Sequence, residues 1–377
     1  LSPVNIKADK ALEASCKKIF SSRTQRNSKV PDRRFLPENV ASHNINGKQT
    51  SMTFRFKNTP QFIPLEVYEN EITTMIERLN EHKNIVSVYQ VGTVQHPGIS
   101  DIDMLVVLKD DAEFYQNPLK NSSVTGRYLF VHPLLGVTKT DFMEAQHFNF
   151  FRNWRLLLGE QLITGENKFS SDEIACLQIQ IALEYLLSNY IQLTVMKLHR
   201  IVNIRALLLN MKAMLYDLRL LNVSSGPLYD LLERLVAWRD RWFEEQPHYK
   251  DLTRWINLCY LELGSFLQKQ LQMHHFYLPK WGNLHVTKNV VLSPNESFSC
   301  KCQGMPLPVA FAFLGKKYLK LQRKLNKVTI FLPIQREKIP SILIRKFNLE
   351  SKMVQFNLDK PFLTLRSTLN FLRKVHR

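Results

Sequence analysis

Acidic residues are scarce at the C-terminal end of this 377-residue chain. Residues 281–377 hold 18 basic and only 4 acidic groups, a net of +14 out of a total of +18. A segment that cannot neutralise itself is poorly suited to polycationic ligands and fits anionic partners. Cysteine is sparse and odd in number, five in all. That excludes a disulfide-built secreted scaffold and fits a reducing compartment. Cys300 and Cys302 are spaced too tightly for the usual zinc knuckle, and no second pair completes such a site. Long uninterrupted apolar runs are missing too. The longest candidate, Ile174 to Met196, contains Gln178, Gln180, Glu184, Asn189 and Gln192, too many polar groups for a membrane span. The N-terminus is polar and basic without an apolar h-region, so no secretory signal is expected and a cytoplasmic location is. Leu1 in place of Met is what a fragment, a trimmed chain or a literally translated alternative start codon would give.

What is present divides into four regions, and a length of 377 residues suits two or three domains with proper cores. Residues 1–60 carry 12 basic and 4 acidic groups and read as a basic N-terminal arm with a helix over Lys7 to Phe20. Residues 61–160 are the acidic part, with 8 basic and 13 acidic groups, and form a candidate catalytic core. Residues 161–277 are almost continuously helical in pattern. Ser170-Ser171-Asp172-Glu173 starts a helix whose apolar stripe runs through Ile174, Leu177, Ile181, Leu183, Tyr185 and Leu186. A break at Asn222 to Pro227 precedes helices over Leu228 to Phe243 and Tyr249 to His275, and Trp238, Trp242 and Trp255 read as packing within this bundle. Residues 278–377 form a basic α+β region with β-like runs at Val286 to Leu292, Val309 to Phe313, Val328 to Leu332 and Ile342 to Phe347. Between them Lys316 to Lys324 places five cations on one short helical segment, either a footprint for phosphate-rich partners or a solvated basic face.

Within the acidic region, Leu65 to His82 has helical periodicity, and Ile85 to Val91 alternates as a strand. A Gly92-Thr93 turn follows, and nine residues after Gly92 comes the pair Asp101-x-Asp103, which runs into the apolar strand Met104 to Leu108. Carboxylates at i and i+2 on a strand share a face, so Asp101 and Asp103 can hold one divalent cation, and hard oxygen ligands suit Mg²⁺. The turn can offer backbone N–H groups and a hydroxyl to phosphates. Arg127 to Pro133 reads as a third strand. Its His132 is either a base near neutral pH or a structural residue with a satisfied hydrogen bond. Thr140-Asp141-x-x-Glu144 reads as a helix cap rather than as further ligands.

Gly92-Thr93, Gly98, Ser100 and Asp101-x-Asp103 together resemble the signature of the nucleotidyltransferase superfamily that includes DNA polymerase beta and the minimal bacterial nucleotidyltransferases. The resemblance covers roughly Pro64 to Gln146, with Thr93 standing for the family's serine. It implies a small mixed sheet with flanking helices inside an α+β chain. It also implies Mg²⁺ on Asp101 and Asp103, and a nucleoside triphosphate held by Gly92, Thr93 and Ser100. The implied reaction is transfer of a nucleoside monophosphate to an acceptor hydroxyl. The family's third carboxylate has no counterpart on the expected third strand, where His132 stands. The net charge favours an anionic acceptor (RNA, a phosphosugar or a protein) over a polycationic one. The competing expectation is a catalytically inactive scaffold that binds nucleic acid through its basic C-terminal region.

Overall fold

The computed structural model describes residues 54–148, 153–165, 168–279, 282–333 and 338–365. The helix expected over Lys7 to Phe20, and the arm to residue 53, lie outside the described residues. The chain is α+β, as its sequence pattern indicates.

Residues 61–160 build a four-stranded mixed sheet. After β1 (Arg55–Lys57) and α1 (Leu65–Asn80) come β2 (Ile85–Val91), β3 (Asp103–Leu108), α2 (Val124–Leu129), β4 (Leu135–Thr138), α3 (Lys139–Ala145) and β5 (Trp154–Gly159). The strand order is β4-β3-β2-β5, with β2 antiparallel to β3 and β5, and β3 parallel to β4. Period-2 alternation splits the strands between two cores. Val88, Met104, Val106 and Leu108 pack with Tyr68, Ile72, Met75 and Leu79 of α1. Tyr89, Val91, Leu105 and Val107 pack on the other face with Phe142 of α3.

The expected third strand at Arg127 to Pro133 is not one. The Ser123 hydroxyl accepts from Gly126 N–H at 2.7 Å and caps α2, so Arg127 to Leu129 complete a helix, and the third strand is β4. The cap of α3 is Thr138, which accepts from Asp141 N–H at 3.1 Å, two residues earlier than the cap expected at Thr140.

The helical region opens as its sequence indicates, with a reciprocal capping box between Ser170 and Glu173 at the start of α4 (Ser171–His199). The pattern that looked continuous is then interrupted. Arg200 takes a left-handed conformation (φ 54°), and β6 (Ile201–Asn203) pairs in parallel with β1 before α5 (Ile204–Leu220). Helices α6 (Pro227–Asp240) and α7 (Tyr249–Met273) follow, and Trp238 packs edge-on against both Trp242 and Trp255. By length and composition α4 could cross a membrane; here it contributes residues to two interior clusters.

The C-terminal region contains β7 (Leu284–Thr287), β8 (Val290–Asn295), β9 (Ser299–Gly304), a 3₁₀ turn (Val309–Leu314), α8 (Lys316–Leu325), β10 (Asn326–Pro333) and α9 (Ser341–Phe356). Its sheet has the order β7-β8-β10-β9, and its inner residues Val286, Leu292 and Ile330 join the same hydrophobic cluster as the bundle helices. Two β-like runs are corrected: Val309 to Phe313 is the 3₁₀ turn, and Ile342 to Phe347 belongs to α9. Helix α9 returns to the first sheet, where Asn357 Nδ2 donates to Gly136 O at 2.8 Å and Leu363 bridges to Leu135 beside β4.

A buried ion cluster fastens α9 to α4. Lys346 Nζ lies 2.9 Å from Glu184 Oε2 and 2.9 Å from Glu350 Oε1, and the Lys346 and Glu184 side chains are almost fully enclosed. Burial opposes the ammonium charge, but the two carboxylates outweigh it and raise the lysine's pKa. Removing one member of such a cluster strands the others without compensation. Lys346→Met is expected to cost about 3–5 kcal/mol in a urea melt, and replacing all three with apolar residues should recover much of it. A single-variant cost below about 1 kcal/mol would contradict a stabilising fastening.

His199, at the end of α4, is buried, and burial together with Arg323 holds its imidazole down to about 4. The unfolded imidazole, near 6.5, binds its proton first on acidification, so stability is present above that value and is lost as pH falls towards 4. Wild-type protein should therefore lose about 1–3 kcal/mol relative to His199→Gln between pH 7 and pH 4.5, read from urea midpoints. Parallel curves for the two proteins would contradict this.

Candidate metal and nucleotide site

The loop from Gly92 to Ile102 is held from three sides. Tyr68 on α1 donates its hydroxyl to Ser100 O and accepts from Gly98 N–H, both at 2.8 Å. The Tyr128 hydroxyl on α2 donates to Gly98 O at 2.6 Å. Arg205, one residue into α5, donates from Nε to Ile99 O at 2.9 Å, from Nη2 to Ser100 O at 2.5 Å, and from Nη1 to Tyr128 O, while its guanidinium stacks 4.0 Å from the Tyr128 ring centroid. Glycine is required at position 98. Its φ is +88°, and a Cβ there would sit 2.1 Å from the Gln61 carbonyl.

The clamped loop delivers Asp101 and Asp103 on either side of buried Ile102. Antiparallel pairing sets Asp103 opposite Val91, one residue before the Gly92 turn. His132, on the segment between α2 and β4, completes the cluster. One ligand atom from each of Asp101, Asp103 and His132 lies within 4.8 Å of the others. His132 Nε2 is 2.6 Å from Asp103 Oδ1, and Nδ1 is 2.7 Å from Pro133 O.

Electrostatics follow from that geometry. Burial, followed by the neighbouring Asp103 charge, pushes the Asp101 carboxyl up to about 6. Burial opposes the His132 charge, but the hydrogen bond and charge of Asp103 outweigh it and lift the imidazole to about 9. At neutral pH His132 is thus doubly protonated, donating Nε2–H to Asp103 and Nδ1–H to the Pro133 carbonyl. Further cations come from the helical region. Lys212 Nζ donates to Gln95 Oε1 at 2.7 Å, and buried Arg239 pairs with Asp240 at 2.7 Å; both feel the field of Asp101. Asp240 also lies 3.1 Å from His96 Nε2.

The donor set would fit a divalent cation: two carboxylates close together, with His132 able to add a nitrogen once the cation displaces its ring proton. One nitrogen among the ligands fits Mn²⁺ or Zn²⁺ better than Mg²⁺, which prefers oxygen. Thr93 is exposed beside the cluster, on the wall of an open cleft of about 470 Å³ shared with Gly92, Gln90, Asn153, Trp154 and Arg155. That volume suits a nucleotide-sized ligand. None of the three cluster residues lines this cleft. The Gly92 N–H is engaged by Asn153 O at 2.7 Å, and the Ser100 hydroxyl is buried, accepting from His96 N–H at 3.2 Å. Of the three expected phosphate-turn residues, Thr93 is the one whose side chain reaches solvent. Sequence spacing brought out the two aspartates and the turn. It gave no sign of Arg205, Lys212 or Arg239, which lie more than a hundred residues downstream and meet the loop only through folding.

Arg205→Ala would leave the Ile99 and Tyr128 carbonyls without their donor, at about 1–3 kcal/mol each. The amides of Ile99 to Ile102 should then exchange with deuterium at least tenfold faster, whereas distant sheet amides such as Val107 keep their protection relative to global stability. Unchanged loop exchange would contradict the clamp. Comparison with protein-family models, with curated proteins and with solved structures finds no match in any of the three.

Proposed function

We propose that the chain is a divalent-metal-dependent nucleotidyltransferase that moves a nucleoside monophosphate from a triphosphate to a hydroxyl on an anionic acceptor such as RNA, a phosphosugar or a protein. The observation that carries this reading is the convergence of Asp101, Asp103 and His132 within 4.8 Å at the mouth of β3, beside the Gly92-Thr93 turn. Asp101 and Asp103 would hold the cation, whose charge stabilises the transferring phosphoryl group and the departing pyrophosphate. The exposed Thr93 hydroxyl positions phosphate oxygens, and the cleft past Trp154 and Arg155 receives the rest of the nucleotide. Lys212 and Arg205 supply positive charge on the side of the loop facing α5. The acceptor oxygen attacks the α-phosphorus in line and displaces pyrophosphate, and the acceptor's proton passes to solvent, since the His132 imidazole already carries both ring protons.

The alternative is a non-catalytic scaffold. Two features favour it: an imidazolium in the place of the third carboxylate, and the basic residues of α8. Labelled triphosphate incubated with cellular RNA, protein and metabolite fractions separates the two. The transferase should label one fraction, and Asp101→Asn with Asp103→Asn should reduce incorporation at least a thousandfold with little change in the thermal melt. Full activity in that double variant would sink the assignment. Metal preference supplies a second check. Wild type should work better with Mn²⁺ than with Mg²⁺, and His132→Asp, which restores an all-oxygen site, should shift the preference towards Mg²⁺ by about tenfold. An unchanged ratio would remove His132 from the site.

A further inference from the structure

We propose that the surface formed by residues 305–325 docks on an anionic lipid bilayer. Between Glu296 and Glu337 the sequence has no acidic residue and eight cations: Lys301, Lys316, Lys317, Lys320, Arg323, Lys324, Lys327 and Arg336. Folding gathers most of them around α8 and the 3₁₀ turn before it, and none of the lysines and arginines of α8 has an ion-pair partner among the described residues.

Helix α8 packs inward through Tyr318 and Gln322. Its inward side is polar. Gln322 is fully buried, exchanging hydrogen bonds of 3.1 Å with the N–H and carbonyl of Leu307, and the buried Tyr318 hydroxyl donates to His199 O at 2.9 Å. Leu321 and Leu325, three and seven residues after Tyr318 and so on the margin of that side, stay 43% and 46% exposed. The preceding turn adds Phe313 at 71% and Phe311 at 46%, and Met305 projects at 75%. Gly315, at φ +55°, joins the two elements, so the exposed phenylalanines and leucines lie within one short stretch of chain together with Lys316, Lys317, Lys320 and Lys324.

The charge pattern selects the occupant. Residues 1–60 are themselves basic, with 12 cations against 4 anions, and a second copy would present the same positive face. Both would be repelled. An anionic partner is attracted, and the aliphatic side chains between the lysines distinguish a bilayer from a nucleic acid. Leu321, Leu325 and Met305 have no base-stacking surface, whereas they gain by entering the boundary between headgroups and acyl chains. Lysines at that boundary add attraction to anionic headgroups that weakens with salt. This surface is independent of the Asp101 site and would stand if that site proved inactive.

The test is co-sedimentation of the full chain with vesicles of phosphatidylcholine alone or mixed with phosphatidylserine, with single-stranded RNA tested in parallel. Binding is expected to the mixed vesicles, weak for phosphatidylcholine, and lower in high salt. Phe311→Ser with Phe313→Ser should weaken it about tenfold, and so should Lys320→Glu with Lys324→Glu. All four side chains are exposed, so thermal melting should stay unchanged and identify any misfolded variant; Leu321→Ser, also exposed, then serves as the second apolar probe. No binding to the mixed vesicles overturns the proposal. So does equal binding to both vesicle types, or RNA binding through the lysines that ignores the phenylalanine changes.

Discussion

Arg205 donates to the carbonyls of Ile99, Ser100 and Tyr128, and lays its guanidinium on the Tyr128 ring. Those carbonyls belong to the acidic loop and to α2, while Arg205 belongs to the helical bundle. Guanidinium geometry allows one side chain to satisfy several fixed acceptors at once, which an ammonium of similar length cannot do. The position of Asp101 therefore depends on a contact between two regions that the sequence separates. Tyr68 and Tyr128 brace the same loop, so the segment leading to Asp101 is held by side chains from α1, α2 and α5. A loop fixed in this way can keep two carboxylates close together at the end of an apolar strand, an arrangement that electrostatic repulsion would otherwise open.

Charge compensation at the cluster follows from the same constraint. Asp101 and Asp103 repel one another, and the His132 imidazolium offsets that repulsion through its 2.6 Å contact. A cation entering the pair would compete with His132 for Asp103. His132 thereby connects the segment after α2 to the mouth of β3.

Much of the acidic core was legible because local signals agree there. Strand β2 ends at Val91 as its alternation indicates, and the Asp-x-Asp pair does fall at the mouth of an apolar strand beside the turn. Where charged residues occupy core positions, the pattern fails. Helix α9 buries Ile342, Leu343, Lys346, Phe347, Glu350 and Met353 at helical spacing, yet Lys346 and Glu350 break the apolar stripe, so the run looks like a short strand. The stretch around Tyr128 and Phe130 has strand-like composition, and a capping serine several residues upstream overrides it. His132 nevertheless reaches Asp103, from a loop rather than a strand. Arg205 could not be read at all, since nothing in the sequence near it names the carbonyls it serves.

The central claim is that Asp101, Asp103 and His132 form a cation site serving a triphosphate. Calorimetric titration with each nucleoside triphosphate, in the presence and absence of Mn²⁺, tests it most directly. At least one triphosphate should bind in a metal-dependent way, with the heat abolished in the Asp101→Asn, Asp103→Asn protein. Triphosphate binding that is indifferent to the metal and to both substitutions, or no binding of any triphosphate, would contradict the account.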